Sequence, residues 1–281
     1  IDLPRPASQR AAAFILTAAM LTTLAAPAFA GTWYIENGDI TVKASGTEGK
    51  NTVSQGNKKD VEDTNTIITN QNKDKASSNT VTIDAGNDKV EVTLKDVNID
   101  TSSRNEAAMS VTGSGNTTIK LDGDNHLTGG NGIYSNSSGS LTISGGETDS
   151  LTAQGGDSRN GIYSVSGDVT ISGGTVTATG GGSTGSNGLG GRGICSDSGG
   201  VTISGGTVKA TGGNGSDGGS GISSSSGVTV SDGTVTANGG NGGNVSGDGI
   251  RSDGGVTISG GTVKAAGGDS KDGYGGDGIH S

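Results

Sequence analysis

The sequence predicts an all-β fold, a right-handed parallel β-helix: a three-sided β-solenoid with about 28 residues per coil. Three observations carry this expectation. First, a Gly-Ile step recurs at Ile133, Ile162, Ile194, Ile222, Ile250 and Ile279, with spacings of 29, 32, 28, 28 and 29 residues. Periods in this range belong to solenoids rather than to one closed core. Second, apolar and polar residues alternate inside each unit with the two-residue period of a strand. In one coil Ile162, Val169, Ile171, Val176 and Ala178 share a side, and Thr170, Ser172, Thr175 and Thr177 take the other. Third, every proline (Pro4, Pro6, Pro27) and both phenylalanines (Phe14, Phe29) precede residue 31. Downstream, nothing lacks the N–H that a ladder needs, and the interior must be built from Ile, Val, Leu and Ala.

Residues 1–30 read as a signal peptide. Arg5 and Arg10 precede an uncharged, mostly apolar run from Ala11 to Leu24, and Ala28-Phe29-Ala30 supplies a small-x-small cleavage site. The run is short for a bilayer span and no later stretch approaches one, so the expected location is secreted or cell-surface, with no integral membrane segment after processing. Residues 31–105 read as N-terminal capping and irregular β-helix coils. There, Trp33-Tyr34-Ile35 and Ile40-Thr41-Val42 fit a strand pair covering the open end. The polar stretch 45–75 reads as a surface excursion with one strand near Thr66-Ile67-Ile68. Val81-Thr82-Ile83, Val92-Thr93-Leu94 and Val97-Asn98-Ile99 read as further strands. Residues 106–281 are the regular repeats, beginning with a coil at Met109, Val111, Ile119, Leu121 and Leu127. They stop part-way through a unit at Ser281, which reads as a truncated C-terminus.

Within a regular unit three short strands separated by turns make a three-sided coil. One coil buries too little to stand alone, so stability must come from stacking. Length variation sits in the Gly-rich loop before Gly-Ile, from Thr179 to Arg192 in one coil and from Gln154 to Asn160 in another. The abundant glycine is expected to serve tight corners through positive φ. A disordered Gly/Ser linker is the competing view, set aside for the strands because Val-Thr-Ile and Thr-Val-x-Ala stay in phase, and left open for the longest loops.

Without its first thirty residues the chain carries 27 acidic against 16 basic residues. That balance argues against nucleic acid and anionic membranes as partners. The single cysteine, Cys195, cannot form an internal disulfide, and His126 and His280 are too few and too distant for a zinc motif.

The segment Val169 to Gly181, Val-Thr-Ile-Ser-Gly-Gly-Thr-Val-Thr-Ala-Thr-Gly-Gly, resembles the Gly-rich repeats of exported bacterial β-helix proteins described as carbohydrate-binding. So does Val92 to Gly130, with its Leu121-Asp122-Gly123-Asp124-Asn125 step. The resemblance implies a pectate-lyase-like fold without its catalysis, a polysaccharide or other host or cell-wall glycan as partner, and, for some members, acidic plant polysaccharide bound with calcium. The Asp-Gly-Ile form occurs only at Asp248 and Asp277; the other units have Asn131, Asn160, Arg192 or Ser220 there. Asp217, Asp248, Asp269, Asp272 and Asp277 sit in Gly-rich loops where carboxylates and backbone carbonyls could converge on calcium, with Asp248 and Asp277 the candidate ligands and solvated turn acids the default.

The residue after each Gly-Ile isoleucine should face solvent, which places Tyr134, Tyr163, Cys195, Ser223, Arg251 and His280 in one row. Tyr134 and Tyr163 would be neighbours on which a sugar face could stack, with Arg251 farther along. A simple cross-coil pair that stabilises the sheet is the competing explanation. A threonine ladder of Thr142, Thr170, Thr202, Thr229 and Thr257 suggests an ice-type surface, but Lys209 and Lys264 interrupt its companion row. Asp248, Arg251 and Asp253 suggest a calcium-assisted lyase, yet no second acidic cluster pairs with that arginine and no nucleophilic triad is evident. The expectation is a non-enzymatic polysaccharide-binding β-helix. The alternative is an adhesin stalk that spaces another domain from the cell surface.

Overall fold

A computed structural model describes residues 30–47, 49–185 and 187–281. The segment 1–30 that the sequence suggests as a signal peptide lies outside the described residues apart from Ala30. The chain forms an all-β parallel solenoid of about eight turns, each of about 28 residues.

The alternation read from sequence becomes three ladders. Ile162–Ser164 lies on the first face, Val169–Ile171 on the second and Thr175–Thr179 on the third. Each pairs in register with its counterpart one coil away: Ile162 with Ile133 and Ile194, Val169 with Leu141 and Val201, Val176 with Leu151 and Val208. Parallel pairing without slip stacks identical positions, so each inward residue meets its own counterpart. Ile162, Val169, Ile171, Val176 and Ala178 are fully buried, as are the matching residues of the next two coils; in the last coil Val256, Val263 and Ala265 are half-buried and Ile258 is exposed. The second and third faces fuse into one sheet because Val201–Thr211 and Val228–Asn238 each run through the intervening corner as one strand, with register shifts near Ser204.

The corner between the first and second faces is held from inside. Ser135, Ser164, Ser196, Ser224 and Ser252 form a buried column. The Ser164 and Ser196 hydroxyls both donate to the Gly167 carbonyl, at 2.6 and 3.0 Å, and Ser224 Oγ donates to Gly199 O and Gly227 O at 2.9 Å each. A buried hydroxyl left unpaired would cost stability; here it closes the turn.

Two expectations for the N-terminal region are corrected. The Trp33 and Ile40 segments do not pair with each other. Thr32–Tyr34 pairs with Thr66–Thr69 on the second face, and Ile40–Ala44 pairs with Val81–Asp84 on the first, so they are two sides of one coil. The excursion at 45–75 holds the expected strand, and also a hairpin, Asn51–Gln55 with Lys58–Asp63, that adds two antiparallel strands to the end of the first face. Its outer strand, Lys-Lys-Asp-Val-Glu-Asp, is exposed over five of its six residues. Charge on an open edge discourages pairing with other chains. Asp63 fastens it inward, accepting from Trp33 Nε1 at 2.8 Å, while Lys58 sits 5.3 Å from the Trp33 ring centre.

The glycines of the long loops serve another purpose than expected. Positive φ occurs at corners such as Gly174, Gly206, Gly233 and Gly261, but not at Gly181, Gly191, Gly213, Gly219, Gly240 or Gly247. These six pack backbone against backbone between coils. A Cβ on Gly213 would lie 2.0 Å from Gly181 O, and one on Gly247 would lie 1.9 Å from Gly219 O. A continuous hydrogen-bond relay accompanies the contact: Gly191 N–H donates to Gly181 O (2.8 Å), Gly213 to Gly191 (2.7 Å), Gly219 to Gly213 (2.9 Å), Gly240 to Gly219 (2.8 Å) and Gly247 to Gly240 (2.9 Å). Outside this seam, Gly215–Asp217 and Gly242–Val245 form a small parallel sheet of their own. The loops are thus an ordered wall beside the first face.

Candidate functional site

The outward row of the first face is the floor of a groove. In register from coil to coil stand Thr82, Ser110, Tyr134, Tyr163, Cys195, Ser223, Arg251 and His280. The glycine-packed loops rise along one side, because each loop leads directly into the next first-face strand.

The two expected tyrosines do meet. Their ring centres lie 5.7 Å apart with planes at 42°, a tilted pair. Tyr163 donates its hydroxyl to Asp197. Burial first, then the Asp197 hydrogen bond and charge, raise its pKa above the usual phenol range, so it stays a donor. The Tyr134 hydroxyl makes no hydrogen bond to any described residue.

Cys195 corrects the expectation for this row. Its side chain points from the outward position but is only 1 % exposed. Asp197 and Arg192 close over it: Sγ donates to Asp197 Oδ1 at 3.3 Å, and an Arg192 guanidinium nitrogen lies 3.7 Å from the sulfur. Burial pushes the thiol up to about 12, which leaves it neutral and unreactive.

A cleft of about 600 Å³ surrounds the tyrosine pair, lined also by Glu106, Arg159, Asn160 and Arg192. Glu106 is engaged at 2.6 Å by Arg104. Arg159 and Arg192 are exposed and form no ion pair among the described residues. These two arginines were not singled out as ligands from the sequence. Their signal was available: Arg192 precedes its Gly-Ile step by one residue and Arg159 by two, on the edge of the row that holds the tyrosines.

Farther along the same face a second cleft of about 540 Å³ shares Ser158, Asn160 and Arg192 with the first. Asp197, Asp217, Asp248, Arg251 and Asp253 line it. Arg251 is 3.9 Å from Asp248 and lies four coil steps from Tyr134, so it does not join the tyrosine pair.

Asp248 and Asp277 come together with His280, their ligand atoms within 4.8 Å of one another. Asp248 is 7 % exposed, and its Oδ1 accepts the Asp277 N–H at 2.8 Å. Asn131 does the same for Asn160 N–H (2.9 Å), and Asn160 for Arg192 N–H (2.7 Å). The position is a cross-coil ladder, filled by Asn or Asp alike. Calcium takes six to eight oxygen ligands. Asp248 Oδ1 is engaged in the ladder and Asp277 Oδ2 lies 3.1 Å from the His280 ring, so a calcium ion here would need backbone carbonyls or water to complete its set.

The threonine ladder is in register from Thr142 to Thr257, continuing to Thr118. On the third face the Thr152–Thr177–Lys209–Thr236–Lys264 row is flanked by a second threonine row, Thr175, Thr207, Thr234 and Thr262. The lysines stand in the middle row, where they break the flatness of the face.

Residues 169–191, 201–226 and 256–281 match the family model described as a β-helix repeat. No curated protein and no solved structure matches the chain. Ladders and family match agree on a β-helix protein. That fold carries both enzymes and non-enzymes, so the chemistry rests on the groove.

Proposed function

We propose that this is an exported, non-catalytic β-helix that holds acidic polysaccharide in the groove of its first face. The observation that carries the reading is the Tyr134–Tyr163 pair beside two arginines without ion-pair partners. A sugar ring can stack on Tyr134 while its carboxylate meets Arg159 or Arg192, and Asn160 and the phenols supply hydrogen bonds. The glycine wall fixes this geometry before binding, which lowers the ordering cost of association.

Affinity electrophoresis on a glycan panel that includes polygalacturonate tests the proposal. Retention is expected on acidic glycans, and Tyr134→Ala should weaken it about tenfold, the loss of roughly one stacking contact. Unaltered mobility on every glycan removes the reading. An in-register rod also suits a stalk that spaces a further domain; on that alternative Tyr134→Ala changes nothing.

A further inference from the structure

The two clefts are one groove with opposite charge in its two halves. They share Ser158, Asn160 and Arg192 and so adjoin along the same face. The floor at either side of the tyrosines is made of short hydroxyl side chains, Thr82 and Ser110 before them and Ser223 after. From Tyr134 to Arg251 the floor runs four coil steps, about 19 Å at about 4.8 Å per step. The half around the tyrosines presents Arg159 and Arg192 without ion-pair partners among the described residues, with Glu106 neutralised by Arg104. The half beyond presents Asp197, Asp217, Asp248 and Asp253 against Arg251 and the shared Arg192, an acidic excess. Its rim, formed by the loop tips, carries Leu189 (59 % exposed) and Val245 (46 % exposed), joined in register through Asp217.

Resting on the polysaccharide reading, we infer that the groove takes an interior segment of a polymer of mixed charge, with acidic sugars over the arginine half and neutral sugars over the acidic half. A uniformly acidic chain long enough to fill both halves would set carboxylates against four aspartates. A neutral sugar there meets carboxylate acceptors for its hydroxyls and an apolar rim for its ring face. Because the groove is open along the axis, the ligand lies parallel to it and needs no free chain end.

The test uses galacturonate oligomers from trimer to octamer, each fully acidic, partly methyl-esterified or fully methyl-esterified, titrated calorimetrically against the mature chain. The trimer, which reaches only the tyrosine half, is expected to bind best when fully acidic. For the octamer the partly esterified form is expected to bind about tenfold more tightly than the fully acidic one. Asp253→Asn should narrow that gap, and reduction of the chain end should leave octamer affinity unchanged. Equal or tighter binding of the fully acidic octamer overturns the inference, as does affinity that stops rising beyond the trimer. In both cases trimer binding weakened by Tyr134→Ala leaves the proposed function standing. Absence of binding at every length overturns both.

Discussion

Replacing Gly240 by alanine tests whether the long loops are a built wall. Gly240 is not a positive-φ glycine, so strain would come from contact and not from conformation. Its new Cβ would sit 2.0 Å from Gly213 O, 2.5 Å from Gly213 C and 2.9 Å from Gly212 O, all backbone atoms. A flexible side chain could swing away; these atoms can yield only if two loops part by about 1 Å or more. Parting them breaks the Gly240 N–H bond to Gly219 O and strains the Gly247 N–H bond to Gly240 O. Two backbone hydrogen bonds at about 0.5–1.5 kcal/mol each, with about 1–3 kcal/mol for overpacking, give a loss of about 2–6 kcal/mol. The control lies in the same loop: a Cβ on Gly243 has its nearest neighbour at 3.7 Å, and Gly243→Ala should be nearly silent. Urea unfolding measures the stability difference, and hydrogen exchange at the Gly219, Gly240 and Gly247 amides reports whether the seam opens. If Gly240→Ala is as well tolerated as Gly243→Ala, and those amides exchange quickly in the wild type, the loops do not pack as described.

Two more predictions concern the interior. Thr117 faces inward between Val90 and Leu141, and its buried hydroxyl has no partner. Thr117→Val should therefore raise the urea midpoint by about 1 kcal/mol of stability, and a lowered midpoint would mean that the hydroxyl is satisfied. Cys195 titrates at about 12 when folded against an ordinary 9.0, so its contribution is complete below pH 9 and is lost as pH rises towards 12. Cys195→Ala should flatten the fall in melting temperature across that window; an unchanged slope would contradict burial of the thiol.

The β-helix was legible because its signal is local and redundant. Val169-x-Ile171 and Val176-x-Ala178 each state the inward side, and the Gly-Ile period states which coil sits on which. The hairpin at Lys58–Asp63 was not legible, since an exposed edge strand has no buried face to impose alternation, and only Asp63 of its six residues is buried. The burial of Cys195 was hidden for a related reason. Alternation gives the side of a sheet, whereas cover from Arg192 and Asp197 depends on side chains that bend over a neighbour. The glycine seam was the hardest to see. What fixes Gly213 is a carbonyl in another coil, and the sequence records that contact only as a missing side chain.

Residues that hold the coils together differ from those the proposed function assigns to a ligand. Asp248 looked like a metal ligand because it is acidic and recurs at a repeat position, yet it does the work of Asn131 and Asn160 one position before Gly-Ile, accepting an N–H from the next coil. Asp197 is likewise committed, to the Tyr163 hydroxyl and the Cys195 thiol. In a solenoid most polar side chains serve such ladders, since each coil must be tied to the next. A group facing a groove without an internal partner has no such duty, and solvating it in a concave site gains little unless something binds there. Arg159 and the Tyr134 hydroxyl meet that description, and both line the cleft that Arg192, engaged with Cys195 but in no ion pair among the described residues, also borders. Their convergence, rather than the repetition of any motif, places the candidate site at the coil where Tyr134 and Tyr163 stack.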